Sequence, residues 1–201
     1  IAVNHALTTM KNHFREDNSC YHVVEYDTIN GTVRSKMTHQ GYSDESAWAR
    51  GQAWALYGYT MCYRETGRPE FLQQAEKVEK YIFNNPTLPA DLIPYWDFNA
   101  PGIPNEPRDA SAASCMASAL YELSTYVPEK KEQYKQADKI LQNLTHSYRA
   151  QLNGDKGFLL LHSTGSKPHD SEIDVPLSYA DYYFLEALLR KAKLEKEESL
   201  F

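Results

Sequence analysis

Two segments of the chain are apolar on almost every side, and each is followed by one that is apolar along a single stripe. Residues 47–64 carry Ala47, Trp48, Ala53, Trp54, Leu56, Tyr57 and Tyr59 all round the helical wheel, which predicts a helix buried on several sides. Gly67-Arg68-Pro69 ends it. Residues 70–83 then place Phe71, Ala75, Val78 and Ile82 on one face, with Gln, Glu and Lys elsewhere, the pattern of an outer helix covering an inner one. The pairing recurs. Residues 109–126 are small and apolar all round, whereas 129–148 are amphipathic through Tyr134, Ala137, Leu141 and Leu144, and 177–193 form a further apolar, aromatic helix. An inner/outer alternation spaced by roughly sixty residues marks an α/α toroid. About six helices fit, half of what a closed ring of about twelve requires. The expected fold is all-α: about half of an (α/α)6 barrel, read as one unit over residues 1–201.

Smaller features complete the outline. Residues 1–14 read as a helix that is already apolar at Ile1-Ala2-Val3 and has no cap, so the chain is expected to begin inside a helix of a longer protein. Residues 20–27 alternate in polarity and Asn30-Gly31 turns them into residues 32–37, a short hairpin. Residues 157–162 read as a short strand. The segment 84–108, rich in Pro and aromatics, is far longer than the usual link between two helices. Long loops at one rim of a helical toroid are where sites are built.

Composition narrows the function classes. With 42% hydrophobic and 24% charged residues among 201, the chain can bury one sizeable core. A net charge of −6 without a basic run argues against nucleic acid or an anionic membrane surface as partner, and no apolar stretch reaches the roughly eighteen residues of a membrane span. Cys20, Cys62 and Cys115 are odd in number and unpatterned in spacing, which reads as free thiols rather than a disulfide framework. No His, Cys or Asp cluster has metal-ligand spacing, and no cofactor is expected.

The chemistry concentrates in His39-Gln40-Gly41-Tyr42-Ser43-Asp44 and the run from Trp48 to Trp54 that follows. If residues 46–66 are helical, Arg50 and Trp54 are i,i+4 neighbours on one face. A guanidinium beside an indole suits an anionic, ring-shaped ligand, with the cation pairing a carboxylate and the ring covering a sugar. The same spacing also fits a core Trp packed on the aliphatic stem of a surface Arg. Asp44 and Asp109 precede helices, where N-capping accounts for them. Trp96 and Asp97 fit either a subsite wall or a loop anchor, Asp181 a structural hydrogen bond, and Gly51 and Gly58 close helix packing.

The run from His39 to Trp54 resembles the signature of the unsaturated glucuronyl hydrolases, glycoside hydrolase family 88. So do Pro94-Tyr95-Trp96-Asp97-Phe98, Arg108-Asp109-Ala110-Ser111-Ala112-Ala113 and Ala180-Asp181-Tyr182-Tyr183-Phe184. The resemblance covers essentially the whole chain and the C-terminal half of a family member. It implies an (α/α)6 barrel that removes 4,5-unsaturated glucuronic acid from the non-reducing end of lyase-generated oligosaccharides. In such enzymes an Asp protonates C4 of the vinyl ether and helps activate water at C5, and the hemiketal then collapses; this differs from displacement by two carboxylates. By the same resemblance His22, Gln40, Arg50 and Trp54 surround the uronate: His22 and Gln40 bond hydroxyls or water, Arg50 meets polar or anionic groups, and Trp54 stacks on the ring. Ser163, Ser166 and Lys167 lie where some relatives recognise a substituent, such as a sulfate, on the adjoining sugar.

The family's proton-donating Asp has no counterpart here and is expected to precede residue 1, so the catalytic set within this chain is empty and the isolated chain is expected to be inactive. The implied partners are an unsaturated uronic-acid oligosaccharide and the missing N-terminal half, in bacterial periplasm or cytoplasm. Two other readings stay open: an unsaturated rhamnogalacturonyl hydrolase, and a non-catalytic carbohydrate-binding helical toroid.

Overall fold

The computed structural model describes residues 1–128 and 130–201; Glu129, expected to open a helix, lies outside the described residues. The chain forms α1 (Ala2–Asn12), β1 (Val23–Tyr26), β2 (Val33–Met37), α2 (Ala49–Thr66), α3 (Pro69–Phe83), α4 (Ala110–Leu123), α5 (Lys130–Ser147) and α6 (Ser178–Glu195). The architecture is the expected helical array with one antiparallel hairpin, in which Val23 faces Met37 and Tyr26 faces Val33.

The hierarchy of burial follows the sequence pattern. Every residue of α4 is buried, because α2, α5 and α6 all pack on it. Its Ala and Ser side chains let those neighbours approach closely. The outer helix α3 covers α2 with one stripe, Phe71, Ala75, Val78 and Ile82, each 0% exposed. Pro69 opens α3, where a missing N–H costs nothing. Gly67, at φ +65, closes α2 by donating its N–H to the Tyr63 carbonyl at 2.8 Å. Across the shallow surface of α4, long side chains of α2 and α6 meet: Tyr57 and Tyr183 lie edge to face with centroids 5.2 Å apart.

Three expectations need correction. Helix α2 starts at Ala49 rather than Ser46, because residues 47–49 pair with the long loop instead. Ala49 donates to the Trp96 carbonyl and Phe98 to that of Ala47, both at 3.0 Å. Residues 157–162 form no strand; Leu160 makes only an isolated bridge to Arg149. A Cβ on Gly51 would stand 3.1 Å from the Trp48 ring, so close packing holds there, but at Gly58 it would meet nothing within 4 Å.

The long segment is anchored rather than loose. Tyr95, Trp96 and Phe98 are buried, and Asp97 at 0% exposure accepts Tyr42 N–H at 2.9 Å, Ser46 Oγ at 2.7 Å and Asn99 N–H at 2.8 Å. Trp96 and Asp97 are therefore loop anchors. Asp181 likewise accepts the N–H groups of Leu159 and Leu160, both at 2.9 Å. Cys20, Cys62 and Cys115 are free, and none of the described helices is long and apolar enough to cross a membrane.

Candidate functional site

His22 stands just before β1, and the loop leaving β2 fixes its ring. Its Nδ1 accepts the main-chain N–H groups of His39 and Gln40, each at 3.1 Å. A nitrogen that accepts two main-chain donors carries no proton of its own, which puts the ring proton on Nε2. Burial chiefly, and then the charges of His39 and Arg50, push its pKa down to about 4. At neutral pH His22 is therefore an uncharged Nε2–H donor. Its ring stacks on the Trp48 indole with centroids 4.3 Å apart, and the Arg50 guanidinium lies 4.5 Å from the centre of the same indole.

Arg50 is 4% exposed. Its Nη1 donates to Asp109 Oδ2 at 2.9 Å, Ser111 Oγ at 3.2 Å and the Thr164 carbonyl at 2.8 Å, and Nη2 donates to the Gly165 carbonyl at 2.7 Å. Gln40 Nε2 reaches the same Gly165 carbonyl at 2.9 Å. Asp109, 0% exposed, caps α4 through Ser111 N–H at 3.0 Å while pairing with Arg50. A guanidinium fork between a carboxylate and two carbonyls pins the 163–166 loop onto α2. These donors are committed to protein acceptors, whereas the sequence reading turned Arg50 toward substrate groups.

Arg50 and Trp54 do share the side of α2 that faces α6. Arg50 lies 5.2 Å from the Tyr179 ring centre, and one turn on Trp54 meets Tyr183 edge to face, 5.2 Å between centroids. Trp54 also borders, with His22, Trp48, Phe14 and Tyr59, a cavity of 470 Å³. That volume is within the range of small-molecule sites, and an indole and an imidazole N–H are the groups a sugar ring uses. None of the described residues lining this cavity is Asp or Glu.

No family model matches the chain. Among curated proteins it is 51% identical over 195 residues to the unsaturated glucuronyl hydrolase of Formosa agariphila, covering 96% of this chain and 48% of that protein. A solved structure described as an unsaturated glucuronyl hydrolase specific for heparin superposes with a TM-score of 0.95 at 52% identity, covering 96% of this chain and 53% of that one. The chain is a homologue of the unsaturated glucuronyl hydrolases. The unsaturated chondroitin disaccharide hydrolase of Streptococcus agalactiae is similar at 36% identity over 194 residues, 94% of this chain and 48% of that protein. The chain spans about half the length of the curated relatives it matches.

In this glucuronyl hydrolase homologue His22, Gln40 and Arg50 are joined through the Gly165 carbonyl and the Trp48 ring, and Trp54 is joined to His22 across the cavity. The residues expected on the adjoining-sugar side are placed differently from one another. Ser163 is 0% exposed, and its hydroxyl has no hydrogen-bond partner among the described residues. Ser166 Oγ lies 2.7 Å from His169 Nδ1. Lys167 is ion-paired to Glu106. Sequence reasoning gave no role to Trp48, Tyr179 or Glu106, and it gave Asp109 only the helix cap. Trp48 carried a usable signal in its place next to Arg50, but its contacts with His22 and Arg50 are tertiary. Asp44 caps no helix: it accepts Thr38 N–H at 2.8 Å, since α2 begins later.

Proposed function

We propose that the protein carrying this chain removes 4,5-unsaturated glucuronic acid from lyase-generated glycosaminoglycan oligosaccharides, and that this chain supplies the wall of the pocket on which the uronate ring rests. The 51% identity along 195 residues to an unsaturated glucuronyl hydrolase is the observation that carries the reading. The cavity beside His22, Trp48 and Trp54 supports it chemically. In this reading Trp54 stacks on the ring, His22 donates from Nε2, and Arg50 and Gln40 hold the rim loop that closes over the adjoining sugar. The proton donor is assigned to a residue outside this chain. Heparin-derived disaccharides are the proposed preferred class, since a relative at 52% identity is described as specific for heparin.

The test is the loss of the vinyl-ether absorbance when unsaturated heparin, chondroitin and rhamnogalacturonan disaccharides are offered to the full-length protein and to the isolated 201 residues. Turnover of the heparin disaccharide by the full-length protein alone is expected. Turnover by the isolated chain refutes the assignment of the acid, and preference for rhamnogalacturonan refutes the substrate class.

A further inference from the structure

Asp97 is a buried carboxylate held by neutral donors. Tyr42 N–H and the Ser46 hydroxyl both meet its Oδ2, at 2.9 and 2.7 Å, and Asn99 N–H meets its Oδ1 at 2.8 Å. Burial pushes its pKa up against those bonds. Arg15 lends its charge without pairing with it, because that guanidinium donates to the Asp44 and Ser46 carbonyls at 2.9 and 3.2 Å. A carboxylate buried without a paired cation is costly, so what it holds in place is informative. It lies beneath both supports of His22. Its main chain is bridged to Trp48, on whose ring His22 stacks, and its Oδ2 holds the loop whose N–H groups bind His22 Nδ1.

That loop is shaped by side-chain acceptors. Every main-chain N–H from Thr38 to Ser43 is given to a side chain: Thr38 to Asp44 Oδ1 at 2.8 Å, His39 and Gln40 to His22, Gly41 to Thr38 Oγ1 at 2.8 Å, Tyr42 to Asp97, and Ser43 to Ser46 Oγ at 3.0 Å. Successive N–H groups turned inward form a nest, whose shape depends on the acceptors inside it. Only glycine fits at its centre. A Cβ on Gly41 would stand 2.5 Å from Thr38 Oγ1, 3.1 Å from Asp97 Oδ2 and 3.2 Å from Trp48 Cβ. We propose that Asp97 is a positioning residue for His22: its carboxylate folds the 38–43 loop so that two N–H groups occupy Nδ1, which leaves Nε2–H as the donor for the cavity that His22 lines. An asparagine does not replace it, because one amide oxygen cannot accept Tyr42 and Ser46 on one side and Asn99 on the other. The inference rests on the proposed function for what Nε2 meets, and goes beyond it by naming the residue that decides where the ring proton sits.

The experiment follows His22 in the full-length protein by nitrogen NMR with labelled histidine, beside kcat and KM on the unsaturated heparin disaccharide. Asp97→Asn strands Tyr42 N–H or Asn99 N–H. It is expected to let the Nδ1–H tautomer appear at neutral pH and to move the His22 midpoint up from about 4 toward 6.5. KM should rise about threefold to tenfold with kcat nearly unchanged, the loss of one hydrogen bond to the bound sugar. Gly41→Ala keeps the carboxylate but wedges the loop away from it, and the same movement of His22 is expected. Asp138→Asn, which weakens the bonds from Tyr121 and Lys191, controls for stability alone and should leave His22 at about 4. A His22 that keeps only Nε2–H and its low midpoint in Asp97→Asn overturns the inference, even where turnover falls. Should that variant not fold, the same reading in Gly41→Ala overturns it, as does an equal movement in Asp138→Asn. Absence of turnover by the unsubstituted protein overturns the proposed function alone, since the NMR reading needs no substrate.

Discussion

At the scale of single residues the site is governed by who supplies the second partner. His22 was legible as a polar residue beside a hairpin, but its tautomer was not, since the two N–H groups that fix it come from residues 39 and 40. Its behaviour with pH follows from that geometry. The ring titrates at about 4 in the fold against 6.5 for the free residue, so between those values the unfolded chain binds more protons. The stability tied to the neutral ring is complete above pH 6.5 and is lost as pH falls toward 4. A proton–nitrogen NMR titration should show an Nε2–H tautomer that persists through pH 5; a midpoint near 6.5 contradicts it. Asp109 makes a second case. The sequence announced its cap, and only the fold revealed that its other oxygen binds Arg50 at 2.9 Å. Asp109→Asn keeps the cap acceptor and strands a buried guanidinium, a loss of about 3 kcal/mol, and Asp109→Ala costs about 1 kcal/mol more by removing the cap. Urea unfolding of both variants measures the difference, and equal costs would assign Asp109 to the ion pair alone.

Elements were legible wherever a stripe repeated. Phe71, Ala75, Val78 and Ile82 announced α3, and all four are fully buried. The start of α2 was not legible. Nothing local tells residues 46–48 to pair with the long loop, and the bridge between Trp48 and Asp97 joins residues far apart in sequence. Glycine was misread for a related reason: spacing cannot tell a contact from an open side. Gly58 has free space around its Cβ position, so Gly58→Ala should stabilise α2 by about 1 kcal/mol through helix propensity alone. Gly51→Ala enjoys the same propensity but presses on the Trp48 ring at 3.1 Å. It should gain less, and it should disturb the stacking of Trp48 on His22. Thermal unfolding ranks the two, and near-ultraviolet circular dichroism reports the indole. A Gly51→Ala protein as stable as Gly58→Ala with an unchanged aromatic signal would show that the ring yields without cost.

At the scale of the whole molecule the covering scheme decides which surfaces meet water. Helix α3 lies over α2 and α5 over α4, but among the described residues no helix covers the far side of α6. Tyr182, Leu185 and Leu189 follow one another at helical spacing there and are 59%, 53% and 57% exposed. A contiguous apolar stripe of this kind binds other apolar surfaces or dyes. The isolated 201-residue chain should therefore bind a hydrophobic dye such as ANS and scatter light increasingly with concentration. Replacing Leu185 and Leu189 with Lys should suppress both effects. It should leave the unfolding midpoint nearly unchanged, because exposed positions contribute within about 0.5 kcal/mol. The alternative source of dye binding is the cavity at His22 and Trp54. Trp54→Ala separates the two: if it removes the dye signal and the Lys pair does not, the α6 stripe is inert and the cavity is the molecule's principal apolar surface.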